Sequence, residues 1–178
     1  MKIVGITYWT GAEEMILKND SCLLNNRKPM FVPEGTKDLR ASECIVLRVS
    51  RLGKGISERF AERYYDAVAF GIDFVAMDVL EHARTSGRSW TSAYGFDYSL
   101  AVGDWIKKEE ISESEIEEAI GPLTTTINEA ISRVSKDMTI RQGDLIYITA
   151  RRVPEPVEQE QIISKTINGE ERLYCRIK

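Results

Sequence analysis

Two apolar runs constrain this chain more than anything else in it: Cys44-Ile-Val-Leu-Arg-Val-Ser50 and Ala67-Val-Ala-Phe-Gly-Ile-Asp73. Both are short and rich in β-branched or aromatic residues, so both read as strands, the second as a buried one. It ends in an acid, Asp73. A carboxylate at the end of a buried apolar run needs a partner or a task.

The rest of the chain alternates. Lys2–Tyr8 is β-rich and expected as a strand. The polar stretch Trp9–Arg27 reads as a loop with one helical turn around Ala12–Leu17, and Asn25-Asn26 supplies turn chemistry. Pro29-Met-Phe-Val-Pro33 allows only a short edge segment, because its prolines cannot donate to a ladder. Ser57 is expected to cap a helix through Tyr65, with Phe60, Ala61, Tyr64, Tyr65 and Val68 on one face. Val75–Arg84 is expected as another helix. Ser112-Glu-Ser-Glu115 is a capping box whose helix Gly121-Pro122 closes. Thr124–Met138 carries an apolar stripe of Ile127, Ala130, Ile131, Val134 and Met138. Leu145–Ala150 is a strand after the turn Gln142-Gly-Asp, and Arg151–Glu160 is a charged, proline-interrupted connector. Ile162–Ile177 is a hairpin about Asn168-Gly169. The mixture is α+β.

Composition excludes several classes. At 178 residues the chain suits one domain, 1–178, and 43% hydrophobic with 29% charged residues is ordinary for a globular protein. Net charge is −4, with Lys and Arg interspersed among acids, so no footprint for nucleic acid stands out. No apolar run approaches the ~20 residues of a membrane span, and the N-terminus lacks a signal-peptide core. The cysteines (Cys22, Cys44, Cys175) are odd in number and widely spaced, which fits neither a disulfide framework nor a zinc knuckle. A reducing cytoplasm is the expected setting.

Between Arg51 and Trp105 the order and spacing become specific. Arg51-Leu-Gly-Lys-Gly-Ile is followed by Ala67–Asp73, Ala76-Met-Asp78, Ser89-Trp-Thr, Gly95-Phe-Asp-Tyr-Ser99 and Ala101-Val-Gly-Asp-Trp105. This pattern resembles the fumarylacetoacetate hydrolase family, whose members hydrolyse, decarboxylate or isomerise acylpyruvate-like diketo acids with a divalent cation. The resemblance is strong over 45–106, moderate from Leu145 onward and weak over 1–40, so residues 1–40 are expected to diverge from a core at 41–178. It implies a rolled, mostly β mixed-sheet core with peripheral helices, and a tendency to dimerise. Extra strands that relatives carry between Ile111 and Thr124 are missing here.

What the resemblance implies about chemistry is loss. The family's metal ligands are a Glu-x-Glu pair on one strand and an Asp about thirty residues later. Two acids at i and i+2 of a strand face the same way and can hold one ion. Counting back from Asp73, which is kept, the pair falls on Ser42 and Cys44, with Glu43 facing the other way. A one-residue slip would bring Glu43 round only by reversing Ile45, Val46, Leu47 and Val49 as well. The family's Asn-Tyr-x-x-His with a later Glu becomes Thr7-Tyr-Trp-Thr-Gly11, and Glu14 survives. The lysine after Trp-Thr becomes Tyr94, the arginine of Ala-Arg-Asp becomes Met77, and Gly-Thr-Pro becomes Thr149-Ala-Arg151.

Each candidate carries a plain alternative. Asp73 is either a residual metal ligand or a buried acid held by hydrogen-bond donors. Glu14 and Tyr94 are the candidate catalytic groups, and Tyr94 and Thr149 the candidate substrate contacts. Yet Glu14 also reads as a surface loop acid, and Tyr94 as an aromatic filling a vacated pocket. Cys44 is a soft ligand or a small buried hydrophobe. His82 reads as surface, and Tyr64-Tyr65 as core or dimer contact. The expected function is a catalytically degenerate family member with no cofactor, binding a small organic acid or modulating a partner. That partner is a second copy or an intact paralogue, with no role for nucleic acid or membrane. The alternative is an active Mg²⁺- or Mn²⁺-dependent hydrolase, isomerase or decarboxylase of diketo acids with a rearranged site.

Overall fold

The computed structural model describes residues 1–178. In chain order the strands are β1 (Ile3–Thr7), β2 (Glu14–Lys18), β3 (Leu23–Asn25), β4 (Leu39–Val49), β5 (Tyr65–Ala76), β6 (Leu100–Val102), β7 (Ile106–Lys107), β8 (Leu145–Thr149), β9 (Glu155–Pro156), β10 (Ile162–Ile167) and β11 (Glu170–Arg176). The helices are α1 (Met77–Thr85), α2 (Thr91–Tyr94), α3 (Glu113–Ile120) and α4 (Ile127–Asp137). A mixed sheet runs β2-β1-β8-β4-β5-β6-β3, with β7 added to β5 and β9 to β4, while β10 and β11 form a separate hairpin. This is the α+β, mostly β architecture that the resemblance implied.

The two apolar runs form the sheet's long central pair. β4 and β5 run antiparallel from Leu39↔Ala76 to Val49↔Tyr65, with a single irregularity at Arg48/Val49. Both faces of the pair are buried, and the period of two sorts them. Ile45, Leu47, Phe70, Ile72 and Phe74 join one core cluster, with Ile127, Ala130, Ile131 and Val134 of α4. Cys44, Val46, Ala69 and Val75 join the other, with Trp9, Tyr147, Met77 and Leu80. Fully burying one such isoleucine or phenylalanine contributes on the order of 2 kcal/mol.

Local chemistry explains the ends. Ser112 and Thr126 each close a reciprocal capping box, with Glu115 and Glu129 respectively. α4 therefore starts at Ile127, three residues later than the periodicity from Thr124 suggests. Gly121, at φ 84°, ends α3. Asn168 (φ 52°) and Gly169 (φ 80°) turn the β10–β11 hairpin through the left-handed region, as the Asn-Gly pair requires.

Three expectations need correction. Glu14–Lys18 is not a helical turn in a loop but strand β2, antiparallel to β1 with Thr7↔Glu14 and Ile3↔Lys18. Pairing with an existing edge overrides the segment's weak helical pattern. Ser57 caps no α-helix: a short 3-10 turn spans Glu58–Arg63 without a side-chain cap, and Tyr65 already belongs to β5. β5 also continues to Ala76, so the next helix begins at Met77 rather than Val75.

Candidate functional site

The register of the central strands locates the positions where a cation would be held. Ser42 pairs directly with Asp73, and Cys44 with Gly71 on one side and Thr149 on the other. Ser42, Cys44 and Asp73 therefore share one face. Glu43 lies on the opposite face, where it pairs with Lys165 at 2.6 Å and with Arg152. The one bulge in the pair falls at Arg48/Val49, beyond the site, so no slip brings Glu43 round.

Asp73 is fully buried, and its oxygens already have donors. Lys18 Nζ lies 2.8 Å from Oδ1 in an ion pair whose side chains are both 0% exposed. Tyr147 donates its hydroxyl to Oδ1 at 3.0 Å, and Trp9 donates its indole N–H to Oδ2 at 2.8 Å. Lys18 completes its three-donor inventory on the Ser99 carbonyl (2.8 Å) and the Ser99 hydroxyl (3.0 Å). A buried network satisfied this fully is stiff, and it leaves neither ion exposed to a newcomer.

Several sequence choices make the cage possible. β2 alternates, so Glu14, Ile16 and Lys18 point to the face that carries Asp73. A Cβ on Gly5 would come within 2.3 Å of the Tyr147 ring, so only glycine leaves the phenol its place. Burial raises the Asp73 carboxyl above its ordinary value, opposed by Lys18, Tyr147 and Trp9. The Tyr147 phenol is pushed well up by burial and by the Asp73 charge, which keeps it a donor. Burial, helped by Asp73, likewise holds Cys44 as a thiol, neither nucleophile nor thiolate ligand.

Magnesium or manganese asks for about six oxygen ligands, carboxylates foremost. The residues here do not fit that demand. Asp73 is the only acid among the three positions, its oxygens are engaged by an ammonium, a phenol and an indole, and Cys44 is a neutral thiol. Nowhere in the chain do three His, Cys, Asp or Glu side chains gather in a metal-holding group.

The other candidates spread along the same face. Glu14 is half-buried: one oxygen accepts from Thr10 Oγ1 at 2.9 Å, and the other is buried without a protein partner, as are Thr7 Oγ1 and Ser42 Oγ. Tyr94 packs its ring 5.5 Å from that of Trp9. Thr149, the last residue of β8, is buried, and Thr124 donates both its N–H and its hydroxyl to the Thr149 carbonyl. Gly11, which the resemblance sets against the family's histidine, sits at φ +81°, where a side chain would be strained. Met77 is a buried apolar residue, His82 is exposed, and Tyr64 and Tyr65 pack half-buried against the larger core.

An open cleft of about 660 Å³ lies beside this face, lined by Tyr8, Gly11, Glu13, Thr124, Arg133 and Arg151, among others. Arg133 pairs with Glu13. Arg151 forms no salt bridge and extends into solvent. Sequence reasoning singled out Asp73, Ser42 and Cys44 but missed Lys18, Trp9 and Tyr147. The signal for Lys18 was the alternation Glu14-x-Ile16-x-Lys18, visible only once the segment is read as a strand.

Fold and site together define a rolled mixed-sheet protein with one carboxylate at its centre. The model of the fumarylacetoacetate hydrolase C-terminal family matches residues 7–150, and the chain belongs to that family. It is similar to the mitochondrial oxaloacetate tautomerase FAHD1 of Bos taurus, 26% identical over 168 residues, covering 87% of this chain and 76% of the relative. The mitochondrial oxaloacetate tautomerase FMP41 of Saccharomyces cerevisiae is 30% identical over 90 residues, 49% of this chain and 34% of that one. Among solved structures, a fumarylacetoacetate hydrolase family protein from Yersinia pestis CO92 superposes with a TM-score of 0.84 at 18% identity, covering 99% of this chain and 92% of that one. A fumarylpyruvate hydrolase from Pseudomonas aeruginosa, solved with Mn²⁺ and pyruvate, gives 0.78 at 18% identity over 99% and 88%. No helix is long and apolar enough to cross a membrane.

Proposed function

We propose that this protein is a family member without the ordinary cation-assisted turnover of diketo acids, and that it binds a small organic acid. One observation carries the reading: the Asp73 carboxylate is held by Lys18, Tyr147 and Trp9 rather than left free for a metal. The vacated positions at Ser42, Cys44, Gly11 and Tyr94 support it, because the losses fall on separate elements. The cleft holding Gly11 and Arg151 is the place for the acid, with the unpaired Arg151 guanidinium as the group suited to a carboxylate. The same reading carries a cytoplasmic setting and association with a second copy or an intact relative through a two-fold interface.

Acylpyruvates and oxaloacetate, offered with saturating Mg²⁺ or Mn²⁺, are expected to give no turnover above background. Manganese titrated under electron paramagnetic resonance is expected to stay free. Turnover that vanishes in Asp73→Ala would overturn the proposal.

The second reading is an active Mg²⁺- or Mn²⁺-dependent enzyme on acylpyruvate-like acids, with Glu14 or Tyr94 in a rearranged site. The similarity to proteins named oxaloacetate tautomerases favours it. It requires Lys18 to leave Asp73. A proton–deuterium exchange assay on oxaloacetate, run with and without metal, separates the two.

A further inference from the structure

Away from the Asp73 centre, the fold gathers cations that lie far apart in the chain. Arg48 on β4 pairs with Ala67 on β5, and Ala67 pairs with Lys107 on β7. The two cations therefore share one row of the sheet, with only the small Ala67 between them. Arg51 follows β4, Arg63 ends the 3-10 turn at Glu58–Arg63, and Lys108 follows β7. All five line one shallow pocket of about 490 Å³, together with Ser50 and Tyr65. Its only carboxylates are Asp66 and Glu109. Five cations against two acids is a local excess of positive charge on a chain of net charge −4.

Three of the five cations are held against aromatic rings. Arg48 Cζ lies 5.4 Å from the Trp105 ring centroid, Arg63 Cζ 4.8 Å from that of Phe60, and Lys108 Nζ 5.2 Å from that of Tyr65. The bulge at Arg48/Val49 leaves Asp66 as the extra residue of β5, and its carboxylate takes Arg48 Nε at 2.8 Å. Arg51 and Lys107 are exposed and form no ion pair. Like charges crowded this way repel one another, and an anion seated among them relieves the repulsion.

We infer that this pocket is a binding site for a small anion bearing a phosphate or pyrophosphate group. Arginine forks match phosphate oxygens two at a time, and lysines add point charge. The volume lies within the range of small-molecule sites. Glu62 and Glu110 on the adjoining turns repel any long polyanion that would have to run past the pocket. The site stands on different residues from the acid-binding cleft and does not depend on the reading given for it.

Calorimetric titration of the full chain with pyrophosphate tests it, with inorganic phosphate as the weaker comparison ligand. Saturable one-to-one binding is expected, weakening steeply between low and physiological salt. The double variant Arg51→Ala/Lys107→Ala is expected to bind at least about tenfold more weakly, a loss of the size that charge-assisted hydrogen bonds carry. Arg63→Ala is expected to lie between, and Arg151→Ala to bind like the parent. All four positions are exposed, so unfolding is checked by circular dichroism in the same samples. The inference is overturned if pyrophosphate gives no saturable signal, if the double variant binds as well as the parent, or if Arg151→Ala loses binding instead. Capture by phosphoinositide vesicles without any response to free pyrophosphate would also overturn it.

Discussion

Asp73 and Glu43 sit on neighbouring strands, and each faces a lysine, yet they belong to different kinds of environment. The Asp73–Lys18 pair is 0% exposed on both sides; Trp9 and Tyr147 donate to the carboxylate, and the Ser99 carbonyl accepts from the ammonium. The Glu43 pair with Lys165 and Arg152 lies at the rim, where Glu43 is 18%, Lys165 22% and Arg152 47% exposed. A one-residue difference in register decides which face an acid takes, and the face decides everything electrostatic about it. Inside, an ion without its partner has no water to fall back on. At the rim, water and salt replace a lost partner cheaply.

That contrast can be broken experimentally. Lys18→Met is expected to lower unfolding free energy by about 3–5 kcal/mol, because it strands a buried carboxylate. Urea denaturation measures this, and a loss below about 1 kcal/mol would mean that Asp73 is not held as described. The double variant Lys18→Met/Asp73→Leu should recover much of the loss, since removing both charges removes the desolvation penalty too. Next in size is Gly5→Ala, whose new methyl meets the Tyr147 ring. Overpacking of this kind costs about 1–3 kcal/mol, and the same melts should show it.

A pH series sharpens the contrast by sign. Burial pushes Asp144 up, but the Lys2 side chain and N–H and the Arg141 N–H more than offset it, so its carboxyl lies below the ordinary value. A lowered carboxyl contributes stability that is present above pH ~4 and lost as pH falls through the depressed value. Asp144→Asn should flatten the acid limb of the stability curve. Asp73, raised by burial despite its donors, acts oppositely: its contribution is present at low pH and declines as pH rises through the raised value. Smallest is Glu43→Gln, expected to cost about 1 kcal/mol or less and to shrink further in high salt.

Which side chains share the Asp73 face could be seen without coordinates. Counting by twos from Asp73 put Ser42 and Cys44 on its face and Glu43 on the other, and the register agrees. What surrounds Asp73 could not be seen. Lys18 lies fifty-five residues from Asp73, on a strand whose five residues show no strong β signature, and Trp9 lies in a turn. The basic pocket was hidden for the same reason: its cations come from three separated segments of the chain.

Taken alone, the chain's residues determined the central strand pair, the two capping boxes, the Asn-Gly hairpin and the face that Ser42, Cys44 and Asp73 share. Each of these depends on side chains within a few positions of one another, where periodicity and backbone preference act. Tertiary structure alone decided that a lysine ammonium sits against Asp73, that the Trp9 and Tyr94 rings pack together, and that five cations share one rim. Those outcomes depend on which edges pair across the sheet, a choice made by burial over the whole molecule and not by any local stretch of it.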